Sequence, residues 1–207
     1  MGKFNWLYNT KSKNIPTDAK RAAFHESGHI VCAYFVQWAA SDVKLTITNG
    51  RTQNAVTTYN FLEDIRIVQV LENPNSLSSL TEDEKERFQG VLINRCVSLL
   101  GGPIAEALFL NGVDFIGKIE IDIRGPDSIR SFNLERLNFN IFKERNLVQN
   151  QLKDVTNILK MPIFWDSISK LADNILSAKG YQINQSKIEE ILNETGLINY
   201  INKLHKA

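Results

Sequence analysis

The chain has 207 residues, 43% of them hydrophobic and 23% charged, with a formal net charge of +1. That length buries a core without disulfide staples, and a near-zero net charge gives no reason to expect nucleic-acid binding by bulk electrostatics. Two cysteines, Cys32 and Cys96, stand far apart in apolar surroundings, so they read as buried free thiols rather than a disulfide framework.

Residues 1–15 read as an N-terminal arm, and residues 16–207 as a single domain. The arm carries lysines but no apolar stretch, so it is not read as a signal peptide. Ile15-Pro16-Thr17-Asp18 signals a helix start, because proline disfavours helix before it and Thr17 or Asp18 can cap free N–H groups. The helix is expected from Asp18 to Gln37. Asp42 to Thr48 alternates like a strand, Asn49-Gly50 suits a hairpin turn, and Asn54 to Tyr59 suits the return strand. Ile65 to Leu71 fits a short strand or a helix, and Asn73 to Ser76 fits a loop. Thr81-Glu82-Asp83-Glu84 is a capping box opening a helix through Leu99. Gly101-Gly102 is expected to interrupt it, with Pro103 starting a second segment, Ile104 to Leu110. A connection over 111–126 precedes helical patterning from Asp127 to Lys160, in two pieces around Glu144-Arg145-Asn146. Pro162 starts another helix, ended by Gly180, and a last short helix follows Asn184. No run is expected to be long and apolar enough to cross a bilayer. The fold class is therefore mainly α with a small antiparallel β-sheet (α+β), and the localisation expected is cytoplasmic.

Residues 25–29 read His-Glu-Ser-Gly-His. Two histidines four apart share one helix face, so their imidazoles can converge on a tetrahedral zinc. Glu26 follows the first of them and can take a proton from a zinc-bound water and pass it to a leaving amine. Histidine is scarce, with three in the chain and two of them in this string, which makes a chance match improbable. The neighbouring residues are uncharged, so the helix can lie buried and hold the metal on a rigid wall. Such a site needs a third protein ligand. His205 lies at a terminus that frays, so a carboxylate from another helix is the better expectation.

The string Ala23-Phe24-His25-Glu26-Ser27-Gly28-His29 resembles the active-site helix of the FtsH peptidase family (M41). Leu100-Gly101-Gly102-Pro103-Ile104-Ala105-Glu106 resembles that family's Gly-Gly-x-x-Ala-Glu segment. Gly125-Pro126-Asp127-Ser128-Ile129 resembles the segment where the family places an aspartate ligand at a helix start, and Trp165 to Leu192 resembles its closing helices. The likeness spans about Asp18 to Leu192, in order. It departs at Ser128, where the family usually has an apolar residue, and at Pro103, which replaces a common arginine. The family's AAA ATPase and membrane helices have no counterpart here, so the chain resembles a free-standing peptidase domain.

The resemblance implies a zincin-like active-site helix packed in a helical bundle. It implies zinc held by His25, His29 and Asp127, with Asp122 and Glu120 as alternatives to Asp127, and Glu106 hydrogen-bonded near a ligand histidine. The plainer readings are a helix N-cap for Asp127 and a surface carboxylate for Glu106. The function implied is a zinc-dependent metalloendopeptidase acting on unfolded or exposed protein segments. The sheet after the active-site helix can offer an edge, residues 43–48 or 54–59, for a protein or peptide substrate; the plainer reading is a sheet that only braces the helix. A separate ATPase and a homo-oligomer are compatible partners. The alternative is a catalytically silent zinc-binding or regulatory module.

Overall fold

The computed structural model describes residues 17–48, 51–60, 80–114 and 125–206. The expectations for the arm, the Asn49-Gly50 turn, residues 65–76, Glu120 and Asp122 fall outside them. The described chain is mostly helical with one three-stranded antiparallel sheet, an α+β class.

Helix α1 (Thr17–Phe35) follows Pro16 and is buried on nearly every side. It packs against α2 (Glu82–Asn111), α5 (Pro162–Ser177) and the sheet. Small residues allow that: Ala19, Ala23, Ser27 and Gly28 are all buried. After Phe35 the chain turns through Gln37, at φ 63°, and Trp38 N–H closes onto Ala33 O at 2.8 Å. It then enters β1 (Ala39–Thr48), which pairs with β2 (Arg51–Asn60) from Ala39 opposite Asn60 to Thr48 opposite Arg51. Ala40, Val43 and Leu45 of β1 point into the core.

The sheet order is β2-β1-β3, so β1 is central. Strand β3 (Gln182–Asn184) was not expected from the sequence. It is three residues long, and only its pairing with Asp42, Val43 and Lys44 makes it a strand.

Helix α2 corrects a second expectation. It opens on the capping box of Thr81 and Glu84, then runs without a break through Gly101, Gly102 and Pro103. Interior glycine disfavours a helix by about 1 kcal/mol and interior proline by about 3. Packing outweighs both here, because Leu92, Cys96, Leu100, Ile104, Ala105 and Leu108 are buried along the stripe. As one piece, α2 is long and apolar enough to cross a membrane, which two short segments were not, and most of that stretch is buried among other helices, as in a globular core.

The remaining helices are α3 (Pro126–Phe142), α4 (Leu147–Leu159), α5, α6 (Gln185–Glu194) and α7 (Leu197–Leu204). Pro126 and Pro162 each open a helix, as their missing N–H permits. Helix α5 stops at Ser177, before the turn that holds Gly180 at φ 69°. Helix α7 was not expected either; Gly196, at φ 78°, separates it from α6.

Candidate metal centre

Helix α1 carries His25, Glu26 and His29, and the tightness of its contact with α2 sets where they point. A Cβ added to Gly28 would lie 2.2 Å from the Gly101 carbonyl oxygen, and one added to Gly101 would lie 2.5 Å from the Gly28 oxygen. The two backbones therefore touch. A Cβ on Gly102 would lie 2.4 Å from His29 Nε2, so the imidazole rests directly on the α2 backbone.

Each imidazole is committed at Nδ1. His29 Nδ1 lies 2.7 Å from the Ser98 carbonyl oxygen, which can only accept, so this nitrogen carries a proton. His25 Nδ1 lies 3.0 Å from Glu106 Oε2. A carboxylate there also accepts, and Glu106 is held below its usual pKa chiefly by that bond, with Arg21 adding to the effect. Both Nε2 atoms are left to face one point. They stand 3.1 Å apart, and Asp127 Oδ2, from the first turn of α3, lies 3.1 Å from His25 Nε2 and 3.3 Å from His29 Nε2. His25, His29 and Asp127 thus form a group whose ligand atoms lie in range of a single metal ion. Ligands about 2.1 Å from a tetrahedral ion stand roughly 3.4 Å from one another, close to the spacing seen.

The charges fit a cation at that point. Burial opposes protonation of His25, but hydrogen bonds to Asp127 and Glu106 and the nearby Glu26 charge outweigh it and push the pKa up to about 9. Burial likewise opposes the charge of Asp127, yet the two histidines hold its carboxyl well below the usual carboxylate range. The side chains alone attract a proton here; a divalent ion would satisfy all three donors at once.

Comparison with protein-family models gives no match to this chain, and comparison with curated proteins gives no significant match.

The cluster opens on a cleft of about 1520 Å³ between α1, β2, α2 and α3. Glu26 lines it and is buried; its Oε2 accepts a 2.5 Å hydrogen bond from Thr57 Oγ1 of β2. Tyr59 of β2 also lines it, with its phenol pKa raised by burial and by the Glu26 charge. At the start of α1, Asp18 Oδ2 accepts from Thr52 N–H of β2 at 2.6 Å, so Asp18 ties the strand to the helix.

Among the expected residues, the fold brings together His25, His29, Asp127, Glu26 and Glu106. His205 lies elsewhere, with Nε2 3.0 Å from Phe35 O. Asp127 sits in the first turn of α3, where the N-cap position belongs to Gly125. Sequence reasoning missed Arg21, Thr57, Ser98 and the seat that Gly102 provides. Arg21 had a legible signal, one turn before His25 on the same helix face. The Ser98 contact had none, because a backbone carbonyl leaves no trace in residue type.

Proposed function

We propose that this protein is a zinc-dependent metalloendopeptidase that hydrolyses peptide bonds in unfolded or exposed protein segments. The supporting observation is the convergence of two Nε2 atoms and one carboxylate oxygen at 3.1–3.3 Å, with both Nδ1 atoms turned onto acceptors. Two imidazoles and a carboxylate at that spacing suit zinc, with a fourth position open to the cleft. Bound there, zinc would supply a Lewis acid that lowers the pKa of a coordinated water to about 7.

Glu26 is the general base of this reading. Thr57 holds its carboxylate in the cleft wall beside the two histidines. It takes a proton from the attacking water and returns it to the leaving amide nitrogen. His25 and His29, oriented by Glu106 and Ser98, present lone pairs and stay neutral through the step. The β2 strand flanks the same cleft, so an extended substrate backbone can lie along it. Such pairing needs an unfolded segment, and a separate ATPase would be required to supply one from a folded protein. The string His25-Glu26-Ser27-Gly28-His29 and the segment around Asp127, which resemble M41 peptidase motifs as sequence, are in keeping with this reading.

Elemental analysis and cleavage of an unstructured protein test the reading. About one zinc per chain is expected for wild type and for Glu26→Gln, with kcat/KM lower in the variant by 10²–10⁴-fold, the usual worth of a general base. Zinc in both with equal inactivity would leave a silent zinc-binding module. A zinc-supplied protein that takes up no metal sinks both readings.

A further inference from the structure

His25 is not oriented by Glu106 alone. Glu106 Oε2 faces His25 Nδ1 at 3.0 Å, while Glu106 Oε1 accepts from Arg21 Nε at 2.9 Å and from Arg21 Nη2 at 2.5 Å. Arg21 and His25 are four apart on α1 and so share one face, and Glu106 reaches them from α2. Among the described residues, Glu106 is the only ion-pair partner of Arg21.

The clamp has a reason to exist. A glutamate bonded only to one imidazole keeps its side-chain rotations and stands beside a cluster built to hold a cation. It could turn inward and compete with His25 or Asp127 for that cation. Two donors from a planar guanidinium on one oxygen remove that freedom, which a point charge does less well.

We infer that Arg21 is a positioning residue for the metal: acting through Glu106, it holds His25 Nε2 on the ligand cluster and keeps the Glu106 carboxylate out of it. The inference rests on the metal reading of the site. Its effect belongs to metal affinity rather than to the fold, because Arg21 is half-exposed and exposed ion pairs add little to stability.

Arg21→Met keeps the aliphatic stem and removes the donors. Zinc dissociation constants, measured by competition with a chromophoric chelator, would be compared for wild type, Arg21→Met, Arg21→Lys, Glu106→Gln and the Arg21→Met/Glu106→Gln double variant. Losing a partner of this kind weakens metal binding on the order of 10-fold, and that is expected for Arg21→Met. Arg21→Lys should recover part of the loss. The double variant should bind no more weakly than Glu106→Gln alone, and the unfolding midpoint of metal-stripped Arg21→Met should match wild type. If wild type binds zinc and Arg21→Met binds it equally tightly, or if the two single effects add, the inference falls and the metal reading stands. Wild type failing to bind zinc removes both.

Discussion

The cleft has two walls built on opposite terms. On one side α1 meets α2 backbone to backbone, with Gly28 on Gly101 and the His29 ring on Gly102. On the other side α1 meets β2 through polar side chains, Asp18 to Thr52 and Glu26 to Thr57, at the rim of an open cleft. The first wall has no room for one more carbon. The second can adjust. A metal would need ligand atoms held within a few tenths of an ångström, whereas a strand edge that took many sequences, as proposed for β2, would need give. Substitutions that add a methyl group to the first wall should therefore do most harm, and those that delete a polar contact from the second should do least.

The largest effects are expected at the glycines. Gly28→Ala forces a Cβ into the Gly101 carbonyl and Gly102→Ala forces one into the His29 ring. Overpacking a tight core lowers stability by about 1–3 kcal/mol, and thermal unfolding should show it as a fall of several degrees. Gly102→Ala should also weaken zinc binding by more than 10-fold, because buried His29 has nowhere to retreat. Gly90 lies in the same helix with nothing within 4 Å of an added Cβ, so Gly90→Ala should instead raise stability, by up to about 1 kcal/mol. Equal behaviour of the three variants would mean that the close crossing is not what constrains α2.

A pH effect falls on the same wall, which carries the His25, His29 and Asp127 cluster. In metal-stripped protein His25 has its pKa raised from 6.5 to about 9. A raised pKa stabilises the fold fully below the unfolded value, and the contribution fades as pH rises through the folded one. Denaturant unfolding of stripped protein should therefore weaken between about pH 6.5 and 9, by on the order of 3 kcal/mol. Asp127 and Glu106 act in the other direction: their pKa values are lowered, so their contribution is present above the usual carboxylate range and lost in strong acid. Zinc-loaded protein should lack the alkaline slope, since both Nε2 lone pairs are then engaged. The same slope in both forms would argue against His25 as a ligand.

The contrast between the walls also explains what the sequence discloses. Helix α1 and the antiparallel β1–β2 pair are legible because their signals are local: a proline start, alternation, and histidines four apart. The continuity of α2 is not legible. Gly101, Gly102 and Pro103 punctuate a chain read locally, while in the fold Gly101 is where two backbones touch and Gly102 seats the His29 ring. The same residue type at Gly180 and Gly196 does mark breaks between elements, at φ 69° and 78°. Only the partner helix separates the two uses. Strand β3 fails for the same reason, since three residues acquire strand character from Val43 and its neighbours. In the site, Glu26 and the two histidines follow from spacing. Asp127, 102 positions from His25, entered through family resemblance and not through any pattern of its own.

On the sheet side, Thr57→Val removes the hydroxyl that holds Glu26 and keeps the shape of the side chain. A hydrogen bond to a charged group is worth about 1.5–3 kcal/mol, part of which water in the open cleft would replace, so a stability loss at or below the lower figure is expected. On the proposed reading, zinc content should be unchanged and kcat should fall about 10-fold, because Glu26, the proposed general base, is misaligned. Loss of zinc instead would show that β2 braces the metal ligands and that the two walls are not separable.

The smallest effect is expected from Asp18→Asn. Asp18 accepts the Thr52 N–H at the start of β2, and that bond is the leading reason its carboxyl lies below the usual range. An amide oxygen can accept the same bond, so the strand keeps its place while a negative charge leaves the rim of the cleft. KM for an unstructured substrate should shift only a few-fold, with kcat and zinc affinity as in wild type, because Asp18 faces the strand and not the ligand cluster. A drop in kcat comparable to that of Thr57→Val would mean that the start of β2 and Glu26 move as one unit, and the adjustable wall would then have to be reckoned as stiff as the helical one.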